Sequence, residues 1–262
     1  MNSRNRTAKI LYRQFGYSKK SSDTALVIPV YNESDRIYKQ LSKLERISKN
    51  IDIIIVDGNS TDGCLDFLKL EKNAVNTLLI NDGEKGLSRQ LQIAFQFCIQ
   101  NEYRYVITMD GNNKDEPEGL LGIQMALKEG FDFVQGSRFV PGGVAINTPF
   151  SRLIGLRFIH APVTSAATMH WFTDSTNGFR GHSVQLLEDG NMSIFRDVFR
   201  SYELLAYIPI RASRLGYSVK EVPVTRAYPS AGETPTKIKG LRGNLRMLLI
   251  LFRAAFSRYN PK

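Results

Sequence analysis

Three acidic side chains follow three apolar segments of the chain, each at the point where the segment ends. Glu33 comes after TALVIPV, Asp57 after IDIIIV and Asp110 after YRYVITM. A carboxylate in such a position accepts hydrogen bonds from a base or a ribose hydroxyl. It also holds a divalent cation against a diphosphate, because hard cations prefer oxygen ligands, and that cation neutralises charge on a departing nucleoside diphosphate. The three acids therefore indicate a nucleotide site, with Asp110 at its phosphates.

The apolar segments are predicted to be strands separated by amphipathic helices. The predicted strands cover residues 24–30, 51–56, 76–80, 103–109 and 131–135. Continuously apolar strands that alternate with helices are typical of a parallel sheet covered on both faces, which binds ligands at the carboxyl ends of its strands. Polar clusters stand at those ends, at 31–33, 57–60, 110–112 and 136–138. Loops are polar in any case, but clusters at four strand ends favour a binding site.

The second half of the chain is less regular. We predict a helix over 149–171 kinked at Pro162, followed by a polar turn over 173–181. A helix over 202–215 and a strand over 218–224 come next. The last predicted elements are a mobile loop over 228–236 and an amphipathic helix over 240–259. The expected organisation is a basic N-terminal extension over 1–22, an α/β domain over 23–236 and a basic C-terminal helix over 237–262.

Composition excludes several classes of protein. A chain of 262 residues with 42% hydrophobic and 23% charged side chains is neither disordered nor collagen-like. Its two cysteines, Cys64 and Cys98, form no C-x-x-C pair, which excludes a zinc knuckle and a disulfide framework. The sequence signatures of a dinucleotide fingerprint, a P-loop, a zinc metalloprotease and a hydrolase nucleophile elbow are also missing.

The formal net charge of +10 is concentrated at the two ends of the chain. Residues 1–20 carry six Lys or Arg and residues 237–262 carry seven, with no acid in either, so residues 21–236 sum to −3. The C-terminal helix has an apolar stripe flanked by arginines. Such a helix lies on an anionic lipid surface, or packs on its own domain or on a second subunit. Two basic ends favour lipid contact, and nucleic acid is not an expected partner.

Several motifs resemble those of glycosyltransferase family 2. The resemblance rests on VIPVYNE at 27–33, IIVDGNSTDG at 54–63, MDGN at 109–112, GSRF at 136–139 and DSTNGFR at 174–180. The later motifs are most similar to those of the dolichol-phosphate mannosyltransferase branch. The resemblance covers about residues 24–236, and the order and spacing of the motifs make it specific. It implies a GT-A fold, an NDP-sugar donor and inversion at the anomeric carbon.

The resemblance implies roles for individual donor-side residues. Pro29, Tyr31, Glu33 and Asp57 correspond to positions that line the nucleoside pocket. Asp110 corresponds to the first acid of the family's D-x-D motif, which meets the diphosphate and the metal ion.

The chain departs from that motif at two positions. Asn112 stands where the second acid is expected, and Lys114 stands where close relatives often place a polar metal ligand. An Asn oxygen ligates a cation without contributing charge, and a protonated Lys cannot ligate one. Two interpretations are open. In the first, Asp110 and Asn112 hold Mg²⁺ or Mn²⁺ more weakly than two acids would, with help from Asp115. In the second, the Lys114 ammonium replaces part of the metal's charge.

On the acceptor side, the arginines at the positions of Arg138 and Arg152 contact the phosphate of a polyprenyl-phosphate acceptor in the resembling family. Such a phosphate is ionised near neutral pH, so its oxygen attacks without a general base. The enzyme then needs mainly to position the phosphate and stabilise charge, which guanidinium groups do well. Arg226 falls where relatives have a mobile basic loop that closes over the diphosphate.

We therefore expect an inverting glycosyltransferase that moves a hexosyl unit from an NDP-sugar to a polyprenyl phosphate. Without a visible signal peptide or membrane-spanning stretch, it is expected to be cytoplasmic and peripheral to the inner face of a membrane. Two alternatives stay open. Transfer to a saccharide hydroxyl, as in cell-surface polysaccharide assembly, needs a general base, for which Asp174 and Glu203 are the candidates. A non-catalytic sugar-nucleotide-binding protein is compatible with the altered motif at Asn112.

Overall fold

The computed structural model describes residues 6–47, 50–230 and 240–261, and a large central sheet organises them. The strands of the described residues are β1 Tyr12–Gly16, β2 Thr24–Val30, β3 Asp52–Asp57, β4 Val75–Asn81, β5 Tyr105–Thr108, β6 Phe133–Ser137, β7 Val144–Ile146, β8 Arg180–Ser183, β9 Val219–Pro223 and β10 Thr225–Ala227. Eight of them form the central sheet in the order β1-β4-β3-β2-β5-β8-β6-β9, and β7 pairs with β10 in a second, small sheet.

Helices cover both faces of the central sheet. Their bounds are α1 Arg36–Leu44, α2 Phe67–Lys72, α3 Leu87–Gln100, α4 Gly119–Lys128, α5 Phe150–Gly155, α6 Ala161–Thr168, α7 Val184–Glu188, α8 Glu203–Arg214 and α9 Gly240–Ala255. A π-helical turn, Leu156–His160, joins α5 to α6.

The sheet is mostly parallel, as predicted. Strand β2 runs parallel to both of its neighbours, β3 and β5, while β8 is antiparallel to β5 and β6. The chain moves from β2 outward through β3 to β4 on one side, and then returns to place β5 on the other side of β2. Such a change of direction opens a crevice at the carboxyl ends of the strands. The fold therefore positions a ligand site beyond the ends of β2 and β5.

The strands at the centre are buried on both faces, which explains their continuous hydrophobicity. In β3, Ile54 and Val56 belong to one hydrophobic core, while Ile53 and Ile55 belong to a second core on the opposite face. Helices α3, α8 and α9 contribute to the first core, and helices α1 and α4 contribute to the second. The alternation arises because successive side chains of a strand point to opposite faces.

Three local features differ from the sequence-based expectations. Residues 12–16, assigned above to an N-terminal extension, form β1 and pair antiparallel with β4 at the edge of the sheet. The small sheet of β7 and β10 was not predicted. The irregularity expected at Pro162 takes the form of the π-helical turn just before it. The chain stays helical from α5 through α6, so the ring and the missing N–H of Pro162 fall inside a helical stretch and disturb the turn that precedes them.

Helix α2 does not follow β3 directly. Helix α2 begins after Asp66, whose side chain caps it by accepting a hydrogen bond from the Lys69 backbone N–H at 3.1 Å. The preceding residues are held in a turn instead, because Asp62 accepts hydrogen bonds from the Ser34 and Cys64 backbone N–H groups. These bonds hold the loop after β3 against the loop after β2.

Helix α9 has two apolar faces, although the sequence predicts a single apolar stripe. Ile250, Leu251 and Ala254 are buried in the core against α8 and α6. A different set of apolar side chains on the same helix is exposed: Leu245, Leu249 and Phe252, with Phe256 just beyond its end. Packing on the domain therefore accounts for one face only. Within the described residues, no helix has the length and apolarity required to span a bilayer.

Candidate active site

A cavity of about 790 Å³ opens at the carboxyl ends of the central strands. Its lining includes residues from the loops after β2, β5 and β6, from α5 and from the segment around β10. Nearly all the residues singled out from the sequence lie on this lining: Pro29, Tyr31, Glu33, Asp110, Asn112, Arg138, Arg152 and Arg226. The fold thus brings together groups that are nearly 200 residues apart in sequence.

The loop after β2 is held rigidly against the loop after β3. Asn32 and Ser34 both have positive φ angles, 50° and 49°, which costs energy for a residue other than glycine. The Asn32 backbone N–H donates to the Ser60 hydroxyl at 3.0 Å, and the Asn32 side-chain oxygen accepts from the Thr61 N–H at 2.8 Å. Glu33 is buried and accepts a hydrogen bond from Arg36 Nε at 3.0 Å. The Glu33 carboxylate therefore has a fixed position at the cavity.

Asp57 is the exception among the predicted site residues. It is not one of the described residues that line the cavity, although the next residue, Gly58, is. The Asp57 carboxylate turns back onto Ser60, accepting from its hydroxyl at 2.6 Å and from its backbone N–H at 3.0 Å. Burial raises the pKa of Asp57, and the two hydrogen bonds from Ser60 oppose that shift. Both bonds reach Oδ1 and tie that oxygen into a turn, and a contact of Asp57 with the nucleoside stays a prediction.

Asp110 is joined to Arg226 while 29% of its side chain stays exposed. Arg226 Nη2 donates to Asp110 Oδ2 at 2.7 Å, and Arg226 Nη1 donates to Asp115 Oδ1 at 2.7 Å. Burial alone would raise the pKa of Asp110, but the charges of Arg226 and Lys114 outweigh it, so the pKa lies below its ordinary value. Asp110 is therefore ionised at neutral pH. Arg226 itself lies in β10 and is buried, whereas the sequence analysis associated it with a mobile loop.

Asn112 and Lys114 extend this cluster. Asn112 Nδ2 donates to Asp110 Oδ2 at 3.3 Å, and Asn112 Oδ1 accepts from the Lys114 backbone N–H at 3.3 Å. Lys114 is only 3% exposed and lines the cavity. Burial lowers the pKa of Lys114 to about 8, and the charge of Arg226 acts in the same direction. A buried lysine in a cleft with a shifted pKa is typical of a functional group.

The donor atoms near Asp110 suit a divalent cation that takes most of its ligands from a substrate. The described residues contain no group of three or more His, Cys, Asp or Glu side chains able to hold a metal. Asp110 and Asn112 supply two side-chain oxygens, and Mg²⁺ is commonly bound by one or two carboxylates together with phosphates and water. Asp110 Oδ1 also borders a cradle kept open by Gly178, where an added Cβ would lie 2.7 Å from that oxygen. The set fits a cation shared with a diphosphate.

Arg138 is paired with Asp174, which was named above only as a candidate general base. Arg138 Nε and Nη2 donate to Asp174 Oδ2 and Oδ1 at 2.6 and 2.9 Å. Both side chains are almost fully buried. Glu221 fixes the backbone of this turn by accepting from the Asp174 N–H at 3.0 Å. Arg138 Nη1 is buried and has no hydrogen-bond partner among the described residues, so one nitrogen of this guanidinium remains available to a ligand.

Arg152 approaches the cavity from α5 and contacts Tyr228. Arg152 Nη1 donates to the Tyr228 hydroxyl oxygen at 3.0 Å, and Lys114 Nζ lies 5.0 Å from the centre of the Tyr228 ring. Burial would raise the pKa of Tyr228, but the positive charges of Arg226, Lys114 and Arg152 outweigh burial and lower it to about 8. Tyr228 was part of a predicted loop, 228–236, whose residues 231–236 lie outside the described residues.

Glu203 is used to begin α8. Its carboxylate accepts hydrogen bonds from the Arg200 and Ser201 backbone N–H groups at 2.9 and 2.6 Å, and Glu203 is not among the described residues that line the cavity. A carboxylate at a helix N-terminus is stabilised by the N–H groups exposed there. This local role explains Glu203 without a contact to substrate.

The residues that sequence reasoning undervalued are Lys114, Tyr228 and the acidic partners Asp115 and Asp174. Lys114 and Asp115 carried a sequence signal through their closeness to Asp110, and Asp174 carried one as the first residue of the DSTNGFR motif. Asp174 and Tyr228 acquire their surroundings from chain segments far away in sequence, so no local pattern identifies their neighbours.

Comparison with known proteins gives a consistent result. The family model described as Glycosyl transferase family 2 matches residues 25–202. A polyprenol monophosphomannose synthase of Mycolicibacterium smegmatis is 27% identical over 207 residues, covering 77% of this chain and 76% of that protein. An undecaprenyl-phosphate mannosyltransferase of Micrococcus luteus is 26% identical over 212 residues, covering 79% and 85%.

A solved structure matches the fold. The glucosyl-3-phosphoglycerate synthase from Mycobacterium tuberculosis, in complex with Mn²⁺, uridine diphosphate and glucosyl-3-phosphoglycerate, matches with a TM-score of 0.63 at 14% identity. The match covers 91% of this chain and 81% of that chain. At this level of identity the likeness concerns the fold.

Proposed function

The chain belongs to glycosyl transferase family 2, and from this premise we propose that it moves a hexosyl unit from an NDP-sugar to the phosphate of a polyprenyl phosphate, with inversion at the anomeric carbon. It is a glycosyltransferase with the GT-A fold. The names of the Mycolicibacterium and Micrococcus relatives support a polyprenyl-phosphate acceptor.

One observation carries the proposal: a single cavity whose lining combines cationic and apolar side chains. Lys114, Arg138, Arg152 and Arg226 supply the positive charge. The apolar side chains come from the π-helical turn, α8 and α9, and are Leu156, Ile159, Leu205, Met247, Leu248 and Leu251. A ligand that matches this lining has an anionic group on an apolar chain, as a polyprenyl phosphate does.

The acids considered as general bases have other bonds, which supports a phosphate rather than a hydroxyl as the nucleophile. Asp174 is bound in a bidentate pair to Arg138, and Glu203 begins α8. A saccharide hydroxyl must lose its proton to a base during attack, whereas an ionised phosphate oxygen attacks directly. The observed arrangement suits the second reaction.

On the donor side, the nucleoside would lie against Pro29, Tyr31 and Glu33 at the end of β2, and the diphosphate would lie at Asp110. Asp110 and Asn112 would hold Mg²⁺ or Mn²⁺, which would neutralise charge on the leaving diphosphate. Lys114 and Arg226 add positive charge at the same place. Because these cations are positioned before substrate arrives, they stabilise developing charge without reorganisation.

On the acceptor side, Arg152 and the remaining Nη1 of Arg138 would bind the acceptor phosphate. Guanidinium groups form strong, directional hydrogen bonds to phosphate oxygens. Their main contribution would be to hold the phosphate oxygen in line with the anomeric carbon, since bringing two bound substrates into reactive geometry accounts for a large part of a transfer rate.

The exposed apolar surface next to the cavity supports contact with the anionic inner face of a membrane. Phe150, Phe158 and Trp171 are each about three-quarters exposed, and α9 adds the exposed apolar side chains named above. Residues 149–171 and 240–261 contain arginines but no acid. Apolar side chains surrounded by cations are the usual composition of a surface that binds anionic lipid. An acceptor held in a bilayer would then meet the cavity without leaving it.

The test is a transfer assay with purified protein, labelled sugar nucleotides of several bases and either undecaprenyl phosphate in detergent or an oligosaccharide. We expect a lipid-linked sugar, and loss of at least about 100-fold in rate for Asp110→Ala, because the diphosphate would lose its cation site. Asp35→Ala, at an exposed acid outside the cavity lining, is the control.

Other outcomes separate the alternatives. Transfer only to the oligosaccharide would establish saccharide synthesis in place of lipid glycosylation. Nucleotide binding without turnover of any donor, with and without Mg²⁺ or Mn²⁺, would indicate a binding protein. Wild-type rates in Asp110→Ala would refute the placement of the diphosphate.

A further inference from the structure

The Tyr228 hydroxyl lies where cationic side chains converge from three separate parts of the chain. Lys114 comes from the loop after β5, Arg152 from α5 and Arg226 from β10. Arg152 Nη1 donates to the hydroxyl oxygen at 3.0 Å, and Lys114 Nζ and Arg152 Cζ lie 5.0 and 5.7 Å from the ring centre. Tyr228 also lines the cavity, although only 5% of it is exposed.

Within the described residues, the Tyr228 hydroxyl makes one side-chain hydrogen bond, as an acceptor. Its oxygen accepts from Arg152, but among the described residues its proton has no acceptor. A buried hydroxyl normally donates its proton to some partner, because an unmade hydrogen bond is costly. The nearby cations cannot accept it, since ammonium and guanidinium groups are donors only. A ligand oxygen in the cavity that Tyr228 lines is placed to be such an acceptor.

Cations at the ring and at the oxygen make the phenol a stronger donor than an ordinary tyrosine. The lowered pKa of Tyr228, about 8, expresses the same effect, and its cause is the charge of Arg226, Lys114 and Arg152. An acceptor that suits a strong donor between positive charges is an anionic oxygen. Phosphate oxygens of this kind occur in both proposed substrates, in the donor diphosphate and in the acceptor phosphate.

We propose that Tyr228 is a phosphate-binding residue whose hydroxyl donates to a phosphate oxygen of the substrate, while Arg152 and Lys114 hold the phenol in the orientation for that bond. The proposal rests on the proposed function, because that function supplies the phosphates. Tyr228 would then link the cations assigned above to the donor side, Lys114 and Arg226, with Arg152 on the acceptor side.

The backbone around Tyr228 is held firmly enough for such a role. The Tyr228 N–H donates to the Ile146 carbonyl at 3.0 Å, and Asn147 Nδ2 donates to the Tyr228 carbonyl at 3.3 Å. One residue earlier, the Ala227 N–H donates to the Lys114 carbonyl at 2.7 Å. These bonds connect Tyr228 to β7 and to the Lys114 loop. A binding group held on fixed backbone loses little entropy when its ligand arrives.

The decisive experiment measures binding by titration calorimetry at pH 7 for wild type, Tyr228→Phe and Tyr207→Phe. The probes are GDP and UDP in one arm and farnesyl phosphate in detergent in the other. Tyr207→Phe is the matched control, because the Tyr207 hydroxyl is also buried and also accepts from an arginine, Arg196, at 3.4 Å, but is not on the described lining of the cavity.

We expect Tyr228→Phe to weaken binding of one of the two probe classes by roughly tenfold, as for loss of a hydrogen bond to a charged group, while Tyr207→Phe binds like wild type. The arm that loses affinity identifies the phosphate that Tyr228 binds. Unchanged affinity of Tyr228→Phe for both classes overturns the proposal. Because binding is measured directly, this result is distinct from failure of wild type to transfer sugar, which would count against the proposed function.

A second measurement covers the case in which Tyr228→Phe does not fold. Wild-type chain carrying 3-fluorotyrosine at position 228 keeps the ring and the hydroxyl. Its ¹⁹F resonance is expected to shift at saturation with the probe that Tyr228 binds. A resonance that stays in place with all the probes, under conditions where calorimetry detects binding, overturns the proposal.

Discussion

Asp174 holds Arg138 in a bidentate ion pair at 2.6 and 2.9 Å, and both side chains are almost completely buried. The pair fixes the guanidinium at the cavity and leaves only its Nη1 without a partner among the described residues. Asp174 is thus a structural partner of an arginine at the cavity. This relationship also means that substitution of Arg138 would disturb folding as well as function.

Asp174→Ala should destabilise the protein strongly. The change leaves the Arg138 charge buried without compensation, and removing one partner of a buried pair typically costs about 3–5 kcal/mol. The free energy of unfolding from urea titration measures the effect. Asp82→Ala is the control, because the Arg13–Asp82 pair has side chains that are 57% and 36% exposed and should contribute about 1 kcal/mol or less. Equal losses in the two variants would contradict the prediction.

Arg152→Ala should raise the KM for the polyprenyl phosphate by about tenfold while the KM for the sugar nucleotide changes little, because a charged hydrogen bond to the acceptor phosphate is lost. Arg138 is less suitable for this test, because its substitution would leave the buried Asp174 without its bidentate partner. Steady-state kinetics with each substrate varied in turn measure the effect. Arg157→Ala, at an exposed arginine that lies 5.0 Å from the Phe139 ring, is the control. A change in donor KM alone would reassign Arg152 to the donor.

Nucleoside diphosphate should bind more weakly as the pH rises through about 8. The pKa of Tyr228 is lowered to about 8, so above that pH the phenol becomes negatively charged, and Lys114, whose pKa is also about 8, loses its positive charge. Both changes oppose binding of an anion, so they act with the same sign. Calorimetry between pH 7 and 9 measures the trend. Tyr228→Phe should retain only the part due to Lys114, and a wild-type dissociation constant that is constant over this range would contradict the prediction.

Asn112→Asp should tighten Mn²⁺ binding by about tenfold in the presence of nucleoside diphosphate, because it adds a charged oxygen ligand beside Asp110. Bound Mn²⁺ can be measured by electron paramagnetic resonance, independently of turnover. Asn101→Asp carries the same change of charge at the end of α3 and should have no effect. No difference between the two variants would place the cation elsewhere, or remove it from the mechanism.

Phe158→Ser should reduce binding to vesicles that contain anionic lipid, since burial of one large apolar side chain contributes about 1.5–3 kcal/mol. Sedimentation with vesicles of phosphatidylglycerol and phosphatidylcholine measures the bound fraction. Leu68→Ser, at a 70% exposed side chain on α2, is the matched control. Equal binding by wild type and Phe158→Ser would exclude this surface as the lipid contact.

The central sheet was predictable because β2 and β3 are continuous apolar runs rich in β-branched residues, and a sheet buried on both faces requires such runs. The position of the cavity was predictable for the same reason, because the carboxyl ends of parallel strands lie at one edge of the sheet. Strand β1 was not predictable. Its sequence YRQFG lacks both features, and it forms because the edge of β4 offers unpaired backbone groups.

Within the site, residue types were predictable but their partners were not. Arg226 and Asp110 are 116 residues apart, and Arg138 and Asp174 are 36 apart, so only the fold decides that they meet. The partner of Asp57 was not predictable either: its carboxylate accepts a hydrogen bond from the Ser60 hydroxyl, three residues later. Local hydrogen bonding ties one oxygen of this acid into a turn, while distant packing brings Tyr228 to the cavity lining.

Helix α9 contributes Leu248 and Leu251 to the cavity wall and presents Leu249 and Phe252 on its outside. A helix with its side chains is about 10 Å thick. A lipid layer in contact with the exposed side of α9 would therefore be separated from the cavity by one helix. An isoprenoid tail would need to extend only a few units beyond the bilayer for its head group to reach the arginines, and the rest of the lipid would stay in hydrocarbon.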